Sequence, residues 1–268
     1  MKLTSAPFFS CFLILNFVTY SLYGGESVSI KLEIEHALGK GVEWINSEQN
    51  NSSGQWGEAE YPALTALALR ATMGHPDLAV VQKYANQQAM GFSFILSKVQ
   101  SDGGIYGKGL ASYNTAICMM AMIQSKDPEY NDIIKSARRF LINQQSDFDR
   151  KGQRDNVFDG GVGYGSRWAH SDLSNTHLAM EALYYAKKSF QAKEGDELGL
   201  DWDAAISFVS KCQNLPATNK EKWVSQDDED KGGFVYFPGS SMAGEKKRKD
   251  GSVALRSYGS MSYAGLLS

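Results

Sequence analysis

The chain has 268 residues, 43% of them hydrophobic and 21% charged, with 27 Lys+Arg against 30 Asp+Glu for a formal net charge of −3. That hydrophobic share is enough for a sizeable buried core and argues against disorder. The near balance of charge implies neither nucleic acid nor an anionic membrane surface as a partner, and none is expected.

Residues 1–25 read as a signal peptide. Lys2 supplies a positive start, Phe8 to Val18 form an apolar run, and Gly24-Gly25 offer small residues before Glu26. The run is too short to cross a bilayer and has the flanks of an export signal. The expected location is therefore secreted or periplasmic. No later stretch approaches the length of a membrane span, so none is expected in the mature chain. Cys11 falls inside the apolar run; Cys118 and Cys212 lie in helical patterns and are read as two buried free thiols in preference to a disulfide.

From residue 26 to 268 one unit recurs four times, each time a helix, a Gln, a glycine turn, an aromatic and a second helix. Unit one has Trp44-Ile45, Gln49, Gly54, Trp56 and a helix from Pro62 to Met73. Unit two has Phe94-Ile95, Gln100, Gly103-Gly104, Tyr106 and a helix from Tyr113 to Gln124. Unit three has Phe140-Leu141, Gln144-Gln145, Gly160-Gly161, Tyr164 and a helix from Leu173 to Lys187. Unit four has Phe208-Val209, Gln213, Gly232-Gly233, Tyr236 and a last helix starting near Tyr258. The turns of units three and four are lengthened by insertions at 146–159 and 215–231. Fixed helices with variable loops are expected of repeats that stack through their helices.

The two helices of a unit differ. The one before each turn is amphipathic, as with Ile34, Leu38, Val42 and Ile45, and should lie outside. The one after it, such as 63–73, 114–123 and 175–186, is apolar nearly all round and should lie inside. Glycine supplies the positive φ of the turn. The Gln amide is expected to bond nearby backbone, and Asp172 and Ser174 to cap an inner helix.

These residues resemble the prenyltransferase and squalene-cyclase repeat superfamily. Gln49, Gly54 and Trp56 are similar to its QW repeat, joined by DGGI-Y (102–106), GGVGYG (160–165), DLSNTHLAMEAL (172–183) and GGFVY (232–236). The resemblance implies an all-α fold, an α/α toroid whose inner helices ring a cavity. About four pairs are present, an incomplete ring, and the helical pattern is still running at Ser268. The domain 26–268 is therefore expected to be C-terminally truncated.

The family's catalytic signatures are not matched. For the cyclases' D-x-D-D the nearest run is Asp227-Asp228-Glu229-Asp230, read as a solvated acidic loop or a weak cation site in preference to an acid catalyst. The family's zinc-binding Asp and Cys would fall at Asp172 and Ser174, and His170-x-Asp172-x(4)-His177 converges poorly for a metal. No catalytic residue, metal or cofactor is therefore assigned. The thioester motif of complement-like toroids is absent. The segment 245–251 reads as a basic surface loop.

Polar residues at inner-helix N-termini form the candidate ligand site: Tyr113, Asn114, Asp172, Asn175, His177, Arg256 and Tyr258. Helix N-termini concentrate positive dipole ends. The expected function is an exported repeat protein that binds a small molecule or peptide in its cavity. The alternatives are an isoprenoid enzyme of the cyclase or prenyltransferase type, and a structural module of an envelope assembly. The oligomeric state is not legible.

Overall fold

A computed structural model of the chain describes residues 28–165, 170–190 and 199–268. The signal peptide lies outside the described residues. The chain divides into two units, Met1–Ser47 and Glu48–Ser268.

The described part of the first unit is one helix, α1 (Val28–Ser47), with only Val42 and Asn46 buried. Lys31 with Glu35 and Lys40 with Glu43 lie at helical spacing on its surface. Such exposed pairs add a few tenths of a kcal/mol.

The second unit runs α2 (Pro62–Met73), α3 (Leu78–Lys83), α4 (Ala85–Leu96), α5 (Ala111–Ser125), a 3-10 turn at Pro128–Tyr130, α6 (Asn131–Ile142), α7 (Leu173–Ser189), α8 (Trp202–Lys211), a hairpin of β1 (Glu245–Lys247) and β2 (Val253–Leu255), and α9 (Gly259–Leu267). Starts are written in the sequence. Pro62 opens α2, where its missing N–H is not needed. Asp77, Asp172 and Asp201 cap α3, α7 and α8 by accepting from Ala79, Asn175 and Ala204 N–H groups at 2.8–2.9 Å, each such cap being worth about 1 kcal/mol.

The helices sort into two layers as their composition requires. α2 packs on α5, α5 on α7 and α7 on α9, while α4 lies against α2, α6 against α5 and α7, and α8 against α7. In α5 every residue from Asn114 to Met122 is buried, which is what an all-round apolar helix demands. The inner layer curves sharply. Arg70 of α2 reaches across α5, with Nη1 3.6 Å from Met120 Sδ and Nη2 3.9 Å from Glu181 of α7. The chain is all-α, with helix pairs in the two-layer arrangement of an α/α toroid.

The corners carry the periodicity. In each, the Gln side-chain amide donates across the turn: Gln49 to the Gly54 carbonyl, Gln100 to Tyr106, Gln145 to Gly160 and Gln213 to Gly232, all at 2.8–2.9 Å. A second bond is equally regular. Trp56, Ile105, Val162 and Phe234 N–H groups donate to the hydroxyls of Thr65, Thr115, Thr176 and Ser262, in the first turns of the four inner helices, at 2.8–3.2 Å. This fixes the register between units and corrects the expected one. The structural counterparts of Trp56 are Ile105, Val162 and Phe234, all buried; Tyr106, Tyr164 and Tyr236 stand one or two residues further on, partly exposed. A buried slot two residues past the turn glycine accepts any large apolar side chain, so spacing by aromatics alone misaligns it.

Units are tied by backbone as well. Ser112 N–H donates to the Tyr164 carbonyl at 3.3 Å and Leu173 N–H to the Tyr236 carbonyl at 2.8 Å. The corners of units three and four thus each satisfy a first-turn N–H of the preceding inner helix, one of the groups a helix leaves unpaired.

Two loop expectations are corrected. Asp230 is buried, taking bonds from Ser257 N–H at 3.0 Å and the Ser225 hydroxyl at 3.1 Å. Only the flanking acids face solvent, because the insertion folds back on its own corner. The basic segment 245–251 forms one strand and the turn of the hairpin, and Arg248 is fixed by the Lys222 and Val224 carbonyls at 2.7 and 2.6 Å.

Candidate functional site

Tyrosines from units two, three and four lie near one another at the inner-helix N-termini: Tyr113 in the first turn of α5, Tyr164 and Tyr236 in the corners, and Tyr258 before α9. Tyr164 and Tyr236, from the corners of units three and four, meet hydroxyl to hydroxyl at 2.9 Å. Tyr113, at the start of α5, lies within electrostatic reach of Tyr164. Tyr258, which precedes α9, lies within reach of Tyr164 and Asp172. All four rings are partly exposed.

Asp172 forms the floor. Its residue is fully buried, and its two oxygens accept from the Asn175 N–H and the Asn175 side-chain amide, each at 2.8 Å. Burial pushes its carboxyl up from 3.8 to about 6, against the lowering effect of those bonds and of nearby His170. Desolvation wins because the buried carboxylate loses more hydration than the Asn175 and Ser174 donors return. The same burial, with the pull of neighbouring hydroxyls and of Asp172, raises Tyr236; burial likewise raises Tyr113 and Tyr258. Tyr113, Tyr236 and Tyr258 therefore remain neutral and able to donate across the physiological range.

Two polar atoms beside the cluster are buried without a hydrogen-bond partner, Ser112 Oγ and Asn175 Oδ1. Ser112 is the residue whose N–H binds the Tyr164 carbonyl, and Asn175 is the one that binds Asp172. Unsatisfied buried acceptors cost about 1–3 kcal/mol each.

The structure thus gathers Tyr113, Asp172, Asn175 and Tyr258 and adds Tyr164 and Tyr236, which the sequence presents only as turn aromatics. The remaining candidates stand elsewhere. Asn114 is fully buried, accepting from Ala63 N–H at 3.1 Å and donating to the Gly109 and Leu110 carbonyls, both at 3.0 Å. It joins α5 to the first turn of α2. Arg256 faces Glu229 and Asp230 at 3.5 and 3.8 Å. His177 turns along α7 to Glu181, 3.9 Å away, and its Nδ1 is 3.2 Å from the Ser268 hydroxyl. Burial lowers the His177 pKa and Glu181 opposes it. His177 lines an open pocket of about 360 Å³ with Met180, Glu181, Tyr184, Trp202 and Leu267. That pocket shares no lining residue with the tyrosine cluster. Among the described residues no group of three or more His, Cys, Asp or Glu is placed to hold a metal ion, and no helix is long and apolar enough to cross a membrane.

In comparison with known proteins, no family model matches the chain, and no curated protein matches it in sequence. Among solved structures it is similar to the protein geranylgeranyltransferase-I of Candida albicans complexed with GGPP, with 19% sequence identity and a TM-score of 0.46 over 81% of this chain and 51% of that chain. The chain spans about half the length of that protein.

Proposed function

We propose that the chain is an exported repeat protein of the prenyltransferase and squalene-cyclase type that binds a small, uncharged, hydroxyl-bearing ligand among Tyr113, Tyr164, Tyr236 and Tyr258. One observation carries the reading: four phenols from three units converge at inner-helix N-termini, with two of them already hydrogen-bonded to each other at 2.9 Å. A phenol offers one donor, lone pairs and an apolar face. Four together suit a sugar-like molecule, whose hydroxyls and C–H faces alternate. The signal-like first segment supports export. An acid-catalysed isoprenoid reaction has less support, because both oxygens of the one buried carboxyl at the site are engaged by Asn175.

The test is calorimetric titration of the full chain with a panel of neutral mono- and disaccharides, alongside mass spectrometry for co-purified small molecules. Binding should fall at least about tenfold in Tyr113→Ala and Tyr258→Ala, and partly in Tyr236→Phe, which removes only a hydroxyl worth about 1 kcal/mol. Binding that survives all three in variants with unchanged circular dichroism and melting would remove the site. The absence of binding to any panel member would remove the ligand class.

A further inference from the structure

The inner helices of the first three units carry little charge, and two of their charges face each other. Arg70 is the only charged residue of α2, α5 has none, and Glu181 is the only acid of α7. Counted from the first-turn hydroxyls of Thr65, Thr115, Thr176 and Ser262, the fifth residue on is Arg70, Met120, Glu181 and Leu267. One level of the repeat thus puts a cation on the first inner helix, a thioether on the second and an anion on the third. Two units fill this position with an apolar side chain, which is what an inner helix asks for.

Arg70 is held from the second unit. Its Nε donates to Gln124 Oε1 at 3.4 Å, Gln124 Nε2 donates to the Arg70 carbonyl at 3.1 Å, and Nη1 rests 3.6 Å from Met120 Sδ. Nη2 is turned to Glu181 Oε1 at 3.9 Å, and Glu181 Oε2 faces His177 Nε2 at 3.9 Å. Neither contact is a hydrogen bond, whose usual length is about 2.7–3.2 Å. The Arg70 and Glu181 side chains are each 30% exposed, while Met120 between them is buried. A donor and an acceptor therefore stand side by side within reach of solvent, unspent on each other. Tyr113 lies on the same face of α5 as Met120, two turns and about 10 Å back along the axis.

The geometry points to a neutral nucleoside as the ligand, with its ribose hydroxyls among the tyrosines and one edge of its base between Arg70 and Glu181. It rests on the tyrosine reading and adds what the hydroxyls are attached to. A ligand carboxylate or amine would be attracted by one of the two charges and repelled by the other. A planar edge with an acceptor beside an N–H suits both, because a guanidinium only donates and a carboxylate only accepts. Each common base presents such an edge. Bonds to charged partners are also the stronger kind.

Calorimetric titration of the full chain with ribose, uridine, adenosine, N3-methyluridine and N6,N6-dimethyladenosine tests this, the last two lacking the N–H of the edge. At least one parent nucleoside should bind about tenfold tighter than ribose, and methylation should remove about tenfold, as losing a bond to a charged group does. Glu181→Gln and Arg70→Met should each bring parent and methylated nucleoside within about twofold of one another, with the affinity for ribose unchanged. The comparison of parent with methylated base needs no variant, so it serves if either substitution fails to fold. Nucleosides no tighter than ribose, methylated bases that bind as well as their parents, or a methylation penalty that survives both variants would each overturn the proposal and leave the tyrosine site standing. Binding of neither ribose nor any nucleoside, by a chain that also takes no saccharide, would remove both.

Discussion

Asp172 is a carboxyl whose burial opposes its ionisation while its position requires it as a cap. Its folded value of about 6 stands above the ordinary 3.8, so the folded chain holds this proton more tightly than the unfolded chain. Below about pH 4 both states are protonated and the group is neutral in its effect. As pH rises from 4 to 6 the unfolded state ionises first, and stability falls. The two-unit shift corresponds to about 3 kcal/mol, lost fully above pH 6. Urea titrations at half-unit intervals should show this decline superimposed on the other carboxylates, and Asp172→Asn should flatten it while keeping a capping oxygen. Equal slopes in the two proteins would mean that Asp172 is better solvated than its burial indicates.

At the scale of the element, the corner glycines separate two costs that sequence alone cannot distinguish. Gly160 and Gly232 share φ of +85°, so alanine at either incurs a left-handed penalty of about 1–2 kcal/mol. Only Gly160→Ala also drives a Cβ into the Ala204 carbonyl of α8, at 2.1 Å. It should cost about 4 kcal/mol or more, in the range reserved for broken packing, against about 1–2 kcal/mol for Gly232→Ala, compared by chemical denaturation. The corners were legible in the sequence because glycine and glutamine are conspicuous there, and the alternation of amphipathic and apolar helices located the two layers. The Thr65, Thr115, Thr176 and Ser262 hydroxyls were not legible. A threonine in the first turn of an apolar helix has the size of a core residue, and its bond runs to a turn residue 9 to 28 positions earlier. The pairing of Tyr164 with Tyr236 was hidden for a similar reason. It depends on the return path of the 215–231 insertion, which composition does not fix. His177 and Arg256 shared the composition of the site but not its place, since a helical residue one turn on, or a long side chain with nearer acids, points elsewhere.

For the molecule as a whole, the question is whether four units melt together. Repeat arrays unfold as one only when the interfaces outweigh the instability of single units. Here each inner interface is apolar and also crossed by hydrogen bonds: Asn114 to Ala63 between α5 and α2, Ser112 to Tyr164 and Leu173 to Tyr236 between successive units. No unit can open without breaking hydrogen bonds to N–H groups of its neighbour, at about 0.5–1.5 kcal/mol each, so opening should be shared. Two thiols report on it from separated places. Cys118 is buried at the centre of α5 and Cys212 at the end of α8, and burial raises the pKa of both well above the ordinary thiol range. Neither thiolate forms in the closed state, so each reacts only through opening. Labelling with an alkylating probe in low denaturant, read peptide by peptide by mass spectrometry, should give both cysteines the same opening free energy and the same dependence on denaturant. A lower value at Cys212 alone would mean that the last unit opens independently, and that the hydrogen bonds linking the units are weaker than the packing within each one.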